Sequence, residues 1–597
     1  MTQLERRRTL YDHFEPWVLS EALTRHDLAV AVALADICGE DDQHLILALA
    51  FAVGAPQSGH TAVDLREIRE HTLVSAELRS PTRVTDVENL SWPEDGAKWL
   101  EEVSKSRLVT STHSPLVVDR GLIYLRRFFH HEERVAERLS ELARASRPTV
   151  SNADVSNVLH LSRNQRHAVE VCGRAQLGVL TGPPGSGKTR TVVALVADEF
   201  VTSPTARVAL AAPTGKAAAR MAESVAESID VLSAADDEPI VAAASALQLL
   251  VPSTVHRLLG ARGSDSFRYD VHNPLPFDFI VVDEASMLSL PLVDALLQAL
   301  HPTARLVLVG DAGQLASVDA GSVLGDIAGA DGPIHTCVAE LTETHRFPAD
   351  SVIGQFSSAV LQGDSDAAVH VLDEALGTSA LSTSEIDGIV LEMLEEPADV
   401  DQFVRAHAVS LATKASDGDI AGALRQLDAF RVLCAHRRGP FGVDGWNFRA
   451  ERLLERAEVQ TRGHYPGQPI MVTANDPSRR LFNGDVGVVV KDERGLRVVF
   501  PNADLPLVEP VSLSDHATVH AMTIHKSQGS EFDHVVVVLP PDGSRLATRE
   551  LLYTAVTRAR RRVTLVGSRA LVLAALSRSE RRVSGLRNRL ERVQEHG

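Results

Sequence analysis

Aromatic residues are scarce in this chain: Trp, Tyr and Phe together make up 4% of its 597 residues. A surface that grips unpaired bases by ring stacking would therefore rest on very few positions. Phe347 and Phe482 are the candidates, with ordinary packing the alternative for either. Cysteine is equally sparse. Cys38, Cys172, Cys337 and Cys434 lie far apart, a spacing that suits neither a disulfide framework nor a cysteine-held zinc or iron–sulfur centre. A reduced, cytoplasmic protein is expected. No uninterrupted apolar run approaches the roughly 20 residues that span a bilayer, so no membrane association is expected. The opening MTQLERRRTLYDHFEPW has three arginines with no apolar run behind them, so a secretory leader is not expected. An overall basic excess is also missing, the formal charge being −19. That excludes nucleic-acid binding through the whole surface and leaves room only for a local basic groove. Residues 558–562 and 578–592 are locally basic, although a solvated helix face accounts equally well for the second stretch.

At this length one hydrophobic core is not enough, and roughly three to five domains are expected. Residues 1–145 read as a mostly helical domain, with apolar spacing in LAVAVALADI and HLILALAFAV. A linker is expected at 143–152. From Leu161 onward short β-rich runs alternate with helical segments, at 178–180, 207–212, 279–282 and 306–309. Most are apolar on both alternating faces, as strands buried in a parallel sheet are. A second series follows at 430–434, 534–539 and 563–566. Two doubly wound α/β domains, 146–350 and 351–597, joined near 347–360, account for the pattern. Within the second, GQPIMVTAND, NGDVGVVV and GLRVVF suggest a small antiparallel barrel at about 465–515, with an Asn-Gly turn. The stretch 363–426 reads as acidic and helical. No solenoid repeat is present.

The strongest local signal is Gly182, Pro183, Pro184, Gly185, Ser186, Gly187, Lys188, Thr189, followed by Arg190. It matches G-x-x-x-x-G-K-[ST] between an apolar strand and a helical run, the context that a phosphate-binding loop requires. Glycines let backbone N–H groups curl round an anionic phosphate, and the helix N-terminus adds its dipole. Lys188 is placed to reach the β- and γ-phosphates of ATP, and the Thr189 hydroxyl to ligate Mg²⁺. Downstream, Ile280-Val-Val-Asp283-Glu284 ends another apolar run. Asp283 fits a Mg²⁺ ligand and Glu284 a general base for the attacking water. Asp311-Ala-Gly-Gln314 ends a third run and fits a sensor of the γ-phosphate.

The order of motifs from Leu161 to Gly567 resembles that of superfamily-1 helicases. Leu161-Ser-Arg-Asn164-Gln165 is similar to the segment whose glutamine contacts adenine. Segments around Thr214 and Lys216 (APTGKAAAR) and His256 (TVHRLLG) resemble DNA-contacting motifs. Arg346, in LTETHRF, resembles the arginine that faces the triphosphate. Thr523, His525 and Gln528 lie in AMTIHKSQGSEFD, and Arg558, in YTAVTRA, resembles an arginine finger. Longer stretches, among them DEASMLSLPLVDAL, GDAGQLASVDAGSVLGDI and YPGQPIMVTANDPSRRLFNGDVGVV, are similar to the RecD family. More weakly, so are FAVGAPQSGHTAVDL and LIYLRRFFHHEERVAERL. Gly313 departs from that family, which more often has a bulkier polar residue there.

The resemblance implies an α/β fold with two RecA-like P-loop domains, a helical N-terminal domain and an SH3-like β-barrel insertion. It implies an ATP- and Mg²⁺-dependent 5′ to 3′ motor on single-stranded DNA at a duplex end, in a heterotrimer with RecB-like and RecC-like subunits. That complex would process double-strand breaks for recombination. Lys188, Glu284, Gln314, Arg346, Gln528 and Arg558 would form the catalytic set, with ATP drawing the two motor domains together. The N-terminal domain would dock on the RecC-like partner, although its apolar helices equally suit a self-contained core. A stand-alone RecD-like helicase, an RNA-directed motor, and a regulatory subunit using ATP as an assembly switch are the alternatives. The base and the finger argue against the last, since binding alone needs neither. A nuclease has little support, because no carboxylate cluster remains beyond those assigned to ATP and Mg²⁺.

Overall fold

The computed structural model describes all residues except 1–2, 80–83, 112–113, 147–152, 264–265, 318, 344–350, 379–388, 477, 480, 502–506, 514, 542 and 593–597. The linker expected at 143–152 lies largely outside the described residues. The chain divides into two compact units. The first comprises Met1–Ala76, Thr82–His345 and Arg581–Gly597, and the second Glu77–Pro81 and Arg346–Glu580. No helix among the described residues is long and apolar enough to cross a membrane.

The first unit opens with helices, beginning Gln3–Leu19, Arg25–Cys38 and Gln43–Gly54. Thr24 caps the second of these in a reciprocal capping box with Asp27. The few aromatics are concentrated here: Trp17, Phe51, Trp92 and Trp99 meet edge-to-face or stacked, with ring centroids 4.8–6.5 Å apart. A two-stranded antiparallel hairpin, β1 (Leu116–Asp119) and β2 (Leu122–Leu125), interrupts the helices that the sequence predicts.

The remaining strands of this unit are β3 (Leu177–Thr181), β4 (Val208–Ala212), β5 (Ser253–Thr254), β6 (Phe279–Val282), β7 (Arg305–Gly310) and β8 (Val338–Glu340). They form one parallel sheet in the order β5-β4-β6-β7-β3-β8. Residues of β3, β4, β6 and β7 are buried throughout, which is why these runs are apolar apart from Arg305 and Thr181 at strand ends. Along β7, Leu306 and Leu308 enter one core while Val307 and Val309 enter another on the opposite face.

The first of those cores draws on distant parts of the chain. Helix Arg126–Arg144 supplies Phe128, Val135, Leu139 and Leu142, and helix Leu586–Arg592 supplies Leu586 and Leu590. The arginine-rich C-terminal stretch is thus packed, with Leu586 1% and Leu590 2% exposed. Arg589 donates to Asp119 (2.8 Å) and Glu132 (3.2 Å) and lies 4.4 Å from the Phe129 ring centroid.

The second unit holds β9 (Val390–Leu394), β10 (Phe430–Cys434), β11 (Pro469–Val472), β12 (Val486–Asp492), β13 (Gly495–Val499), β14 (His516–Thr518), β15 (Ala521–Thr523), β16 (Phe532–Val538) and β17 (Ala559–Val566). Five form a parallel sheet, β15-β10-β16-β17-β9, and four an antiparallel sheet, β13-β12-β11-β14. Strand β9 corrects the helical reading of 363–426. Its Glu392 hides a carboxylate in the sheet by accepting from Arg562 on neighbouring β17 at 2.7 and 3.0 Å. The tight turn of the antiparallel sheet also differs from expectation. Asp492 pairs with Gly495 around Glu493 and Arg494, while Asn483 and Gly484 sit in the longer β11–β12 connection.

A buried acid pair anchors the C-terminal stretch. Glu132 is fully buried and accepts from Thr61 Oγ1 (2.6 Å), Gly585 N (3.1 Å) and Ser584 Oγ (3.2 Å). Ser584 Oγ also lies 2.9 Å from Asp326. A serine has one hydroxyl proton and cannot donate it to both carboxyls, and a protonated Asp326 resolves the conflict by donating to Ser584 while Ser584 donates to Glu132. Burial, reinforced by the Glu132 charge, raises Asp326 from 3.8 to about 7. Stability that the neutral acid contributes is complete below 3.8 and is lost as pH rises toward 7, by at most about 4 kcal/mol. Asp326→Asn keeps a donor to Ser584 without the charge. Thermal melts should show the variant gaining on the parent between pH 5 and 7.5 and levelling above. A difference independent of pH would reject the protonated Asp326.

Candidate active site

Three neighbouring strands of the first sheet, β6, β7 and β3, end at the same edge, and their following turns carry the expected nucleotide residues. After β3 the chain turns through 182–187 into helix Lys188–Thr202, with Gly187 as its N-cap at φ +82°. At Gly182 a Cβ would stand 2.6 Å from the Leu341 carbonyl oxygen, so only glycine lets the loop start there. Lys188 Nζ folds across the loop, donating to the carbonyls of Gly182 (2.6 Å) and Pro183 (3.0 Å). Pro183, Pro184, Gly185 and Thr189 are half-buried around it, and Arg190 is exposed in the helix's first turn.

Gln165 braces this loop. Its Oε1 accepts from Ser162 N (2.9 Å) and its Nε2 donates to Ser186 O (3.2 Å). Both ends of the amide are therefore engaged within the chain.

At the end of β6, Asp283 N donates to Ala211 O (2.9 Å), and Asp283 Oδ1 accepts from Glu284 N (2.8 Å). Glu284 adopts φ +52°, a left-handed conformation uncommon outside glycine. Burial, then the Glu284 charge, pushes the Asp283 carboxyl upward, while Lys188 pulls it down. After β7, Asp311 organises the turn by accepting from Gly313 N (3.0 Å) and Gln314 Nε2 (2.8 Å). Ala312 N donates to Thr181 Oγ1 at the end of β3 (3.2 Å), and Gly182 N to Gly310 O (3.2 Å), joining the two turns.

The donor set fits a triphosphate with a divalent cation. Ser186 Oγ and Ser286 Oγ are buried without a partner on the turns after β3 and β6, unfilled capacity that phosphate oxygens suit. Among the described residues no group of three or more His, Cys, Asp or Glu is placed to hold a metal ion by itself.

The outer edge of the same sheet carries the first DNA candidates. Strand β4 leads to Thr214, which caps helix Gly215–Ser233 by accepting from Ala217 N (3.2 Å), with Lys216 in its first turn. Neighbouring β5 leads to helix Val255–Leu259, which holds His256 6.2 Å from the Phe267 ring.

In the second unit the edge strand β15 ends at Thr523, whose Oγ1 accepts from Lys526 N (3.3 Å). His525 begins a 3₁₀ turn that delivers Gln528, and Lys526 is driven below its usual range by burial and then by Arg437. Arg558 is 3% exposed, with Nε donating to Thr554 O (3.1 Å), Nη1 to Ser530 O (3.5 Å) and Nη2 to Thr557 Oγ1 (3.4 Å). It is therefore set apart from the basic run in which it sits: Arg562 pairs with Glu392, and Arg560 lies 3.5 Å from both Glu531 and Asp533. Arg346 and Phe347 lie outside the described residues.

Comparison with known proteins agrees along the length of the chain. Residues 20–124 match the family described as RecBCD enzyme subunit RecD, N-terminal domain. Residues 160–378 match an AAA domain, and 518–566 a UvrD-like helicase C-terminal domain. The chain is 43% identical over 579 residues to the RecBCD enzyme subunit RecD of Mycobacterium tuberculosis, covering 95% of this chain and 94% of that protein. The chain belongs to the RecD family. Similarity to the RecBCD enzyme subunit RecD of Mycolicibacterium smegmatis is 42% over 96% of this chain and 98% of that one. An ATP-dependent RecD2 DNA helicase of Deinococcus radiodurans is 33% identical over 73% of this chain and 53% of its own length. As a RecD-family member the chain is an ATP-hydrolysing superfamily-1 DNA helicase of recombinational repair.

In this RecD-family chain, Thr181 carries no motif signal beyond the change of polarity at the end of an apolar run. Ser186 and Ser286 lie within recognised motifs, but nothing in the sequence shows that their hydroxyls are buried without a partner. Asp311 was visible as part of a turn, but its hold on Gln314 was not. Because Asp311 acts by fixing the Gln314 amide, the two should fail as one. Asp311→Ala and Gln314→Ala should each lower kcat for ATP by about tenfold or more, and the double variant by no more than the worse single. Steady-state ATPase assays of the four proteins measure this. Multiplying losses would show that the two residues act separately.

Proposed function

We propose that this chain is the 5′ to 3′ motor of a heterotrimer with RecB-like and RecC-like subunits, working on single-stranded DNA at a broken duplex end. The observation that carries the motor reading is the convergence of Lys188, Asp283, Glu284 and the Asp311–Gln314 pair at three adjacent strand ends, beside two unpartnered serine hydroxyls. The assembly reading is supported by extent: the match runs over 94% and 98% of the two mycobacterial RecD subunits but 53% of the RecD2 helicase.

In this reading 1–145 is the partner-docking domain, and 146–350 and 351–597 are RecA-like motor domains. The second carries an SH3-like barrel at about 465–515. A four-stranded antiparallel sheet with its own core of Ile470, Val489, Val498 and Leu513 supports that barrel. The ATP–Mg²⁺ substrate brings the phosphoryl group and the charge that polarises it. Backbone amides of 182–187 and Lys188 hold its phosphates, and Thr189 and Asp283 complete the cation's ligands. Glu284 takes the proton of the attacking water, and Gln314 senses whether the γ-phosphate is present. We assign the second domain's response to the triphosphate to Gln528 and Arg558, and a further charge contact to Arg346. Thr214, Lys216, His256, Thr523 and His525 would hold the DNA backbone without reading sequence.

ATPase activity of the chain co-expressed with its RecB-like and RecC-like subunits, with and without single-stranded DNA, tests the proposal. Single-stranded DNA should raise turnover several-fold, and Lys188→Gln should cut it by about 100-fold or more. The three subunits should co-purify in equal amounts. RNA stimulating as well as DNA, or a chain that purifies without partners, would refute this reading.

A further inference from the structure

The turn that carries Asp311 and Gln314 continues through Leu315 and Ala316, both buried, into residues 317–321. There the backbone meets an unexpected partner. Arg582, from the C-terminal stretch, donates through Nη1 to the carbonyls of Ser317, Asp319 (3.1 Å) and Gly321 (3.5 Å). Three carbonyl dipoles converging on one point repel one another, and a guanidinium is what makes the arrangement favourable. The same guanidinium lies against Gly59 of the N-terminal domain, where a Cβ would stand 2.6 Å from Nη1 at φ +81°.

Backbone hydrogen bonds close the junction. Gly321 N donates to Gly59 O (3.0 Å), and Thr61 N and Ala62 N donate to Val583 O (3.0 and 3.3 Å). Val583 N donates to His60 Nδ1 (3.0 Å). That nitrogen keeps its lone pair because burial, then His71 and Arg582, hold His60 down at about 3. Three segments far apart in sequence, 59–62, Ser317 to Gly321, and 582–583, are thus tied by the Arg582 and His60 side chains and three backbone–backbone bonds. One end of this junction begins three residues beyond Gln314.

We propose that Arg582 is a positioning residue for the ATPase cycle. Through it the nucleotide-sensing turn at 311–314 and the 59–62 loop move as one body, so that the N-terminal domain registers the nucleotide state. Coupling of this kind needs a contiguous packed route with no slack, and the buried Leu315–Ala316 link supplies it. By reciprocity, whatever binds the N-terminal domain and shifts 59–62 would alter the affinity of the motor for its nucleotide.

Hydrogen–deuterium exchange of the full chain, with and without AMP-PNP and Mg²⁺, tests this. The amides of Gly321, Thr61 and Ala62 are the reporters. In the unmodified protein, nucleotide should change exchange by about twofold or more in both 311–321 and 59–62. In Arg582→Met the response should persist at 311–316 and disappear at 59–62. Arg582→Lys should restore it, because an ammonium can donate to three carbonyls. DNA-stimulated kcat should fall about fivefold in Arg582→Met with KM for ATP within about twofold, and recover in Arg582→Lys. A 59–62 segment that ignores nucleotide in the unmodified protein would overturn the proposal whether or not the methionine variant folds. So would an undiminished response in Arg582→Met.

Discussion

A parallel sheet is apolar on both faces and has to be covered on both, and much of the first unit follows from that constraint. Strands β3, β4, β6 and β7 bury every residue, so helices on one side alone would leave half of each strand in water. The helices Arg163–Gly173, Lys188–Thr202, Gly215–Ser233 and Glu238–Gln248 cover one face from within the α/β repeat. The other is completed by helix Arg126–Arg144 before the phosphate loop and by Leu586–Arg592 at the far end of the sequence. The last helix of the N-terminal domain and the C-terminal stretch are consequently part of the motor's own core. Glu132 and Asp326 can be buried here because the segments that meet around them bring donors from both ends of the chain.

The same constraint fixes where chemistry can occur. With both faces covered and all strands parallel, the open end of the sheet is its carboxyl edge, where every strand hands over to a turn. Phosphate-binding amides, the Asp283–Glu284 pair and the Asp311 turn all lie at that edge because β3, β6 and β7 are neighbours there. Thr214 and His256 follow β4 and β5, one step further along the same edge. Thr523 and His525 follow the edge strand β15 of the second sheet. The aromatic poverty of the chain fits this arrangement. Its tryptophans are core residues, three of them meeting Phe51 in the N-terminal domain and Trp446 buried in the second unit. The proposed DNA contacts would offer hydroxyl, imidazole and ammonium groups suited to a phosphate backbone.

Much of this was legible in the residues, and the exceptions have physical reasons. Strands apolar on both faces announce themselves, and the loop at 182–187 is defined by its glycines. Strand β9 did not, because Glu392 breaks its apolar run, and Arg562 and Thr564 on β17 explain how that charge is tolerated. In the C-terminal stretch Leu586 and Leu590 are spaced for one helix face, but the surrounding arginines mask them. Their partners, Glu132 and Asp119, lie more than 450 residues earlier in the chain. Arg558 was visible as one arginine among several, and its burial depends on carbonyls that a side-chain pattern does not encode. The antiparallel turn at Glu493 and Arg494 is marked by Asp492, which accepts from Arg494 N, and by Gly495, a weaker signature than the Asn483 and Gly484 pair in a longer connection. Pattern recognises what a residue prefers locally, and it loses residues whose position is settled by a distant partner.

The site itself is tuned against stability. Asp283 is half-buried with a second carboxylate on the next residue, and Lys188 lowers it. Glu284 is held in a left-handed backbone conformation, and two serine hydroxyls lack partners. Each feature costs free energy by itself, and together they amount to several unmet demands in one small volume. In the proposed function a triphosphate with its cation would supply positive charge for Asp283, acceptors for the serines and phosphate oxygens for Lys188. Nucleotide state would then be a difference in conformational free energy, which a motor requires.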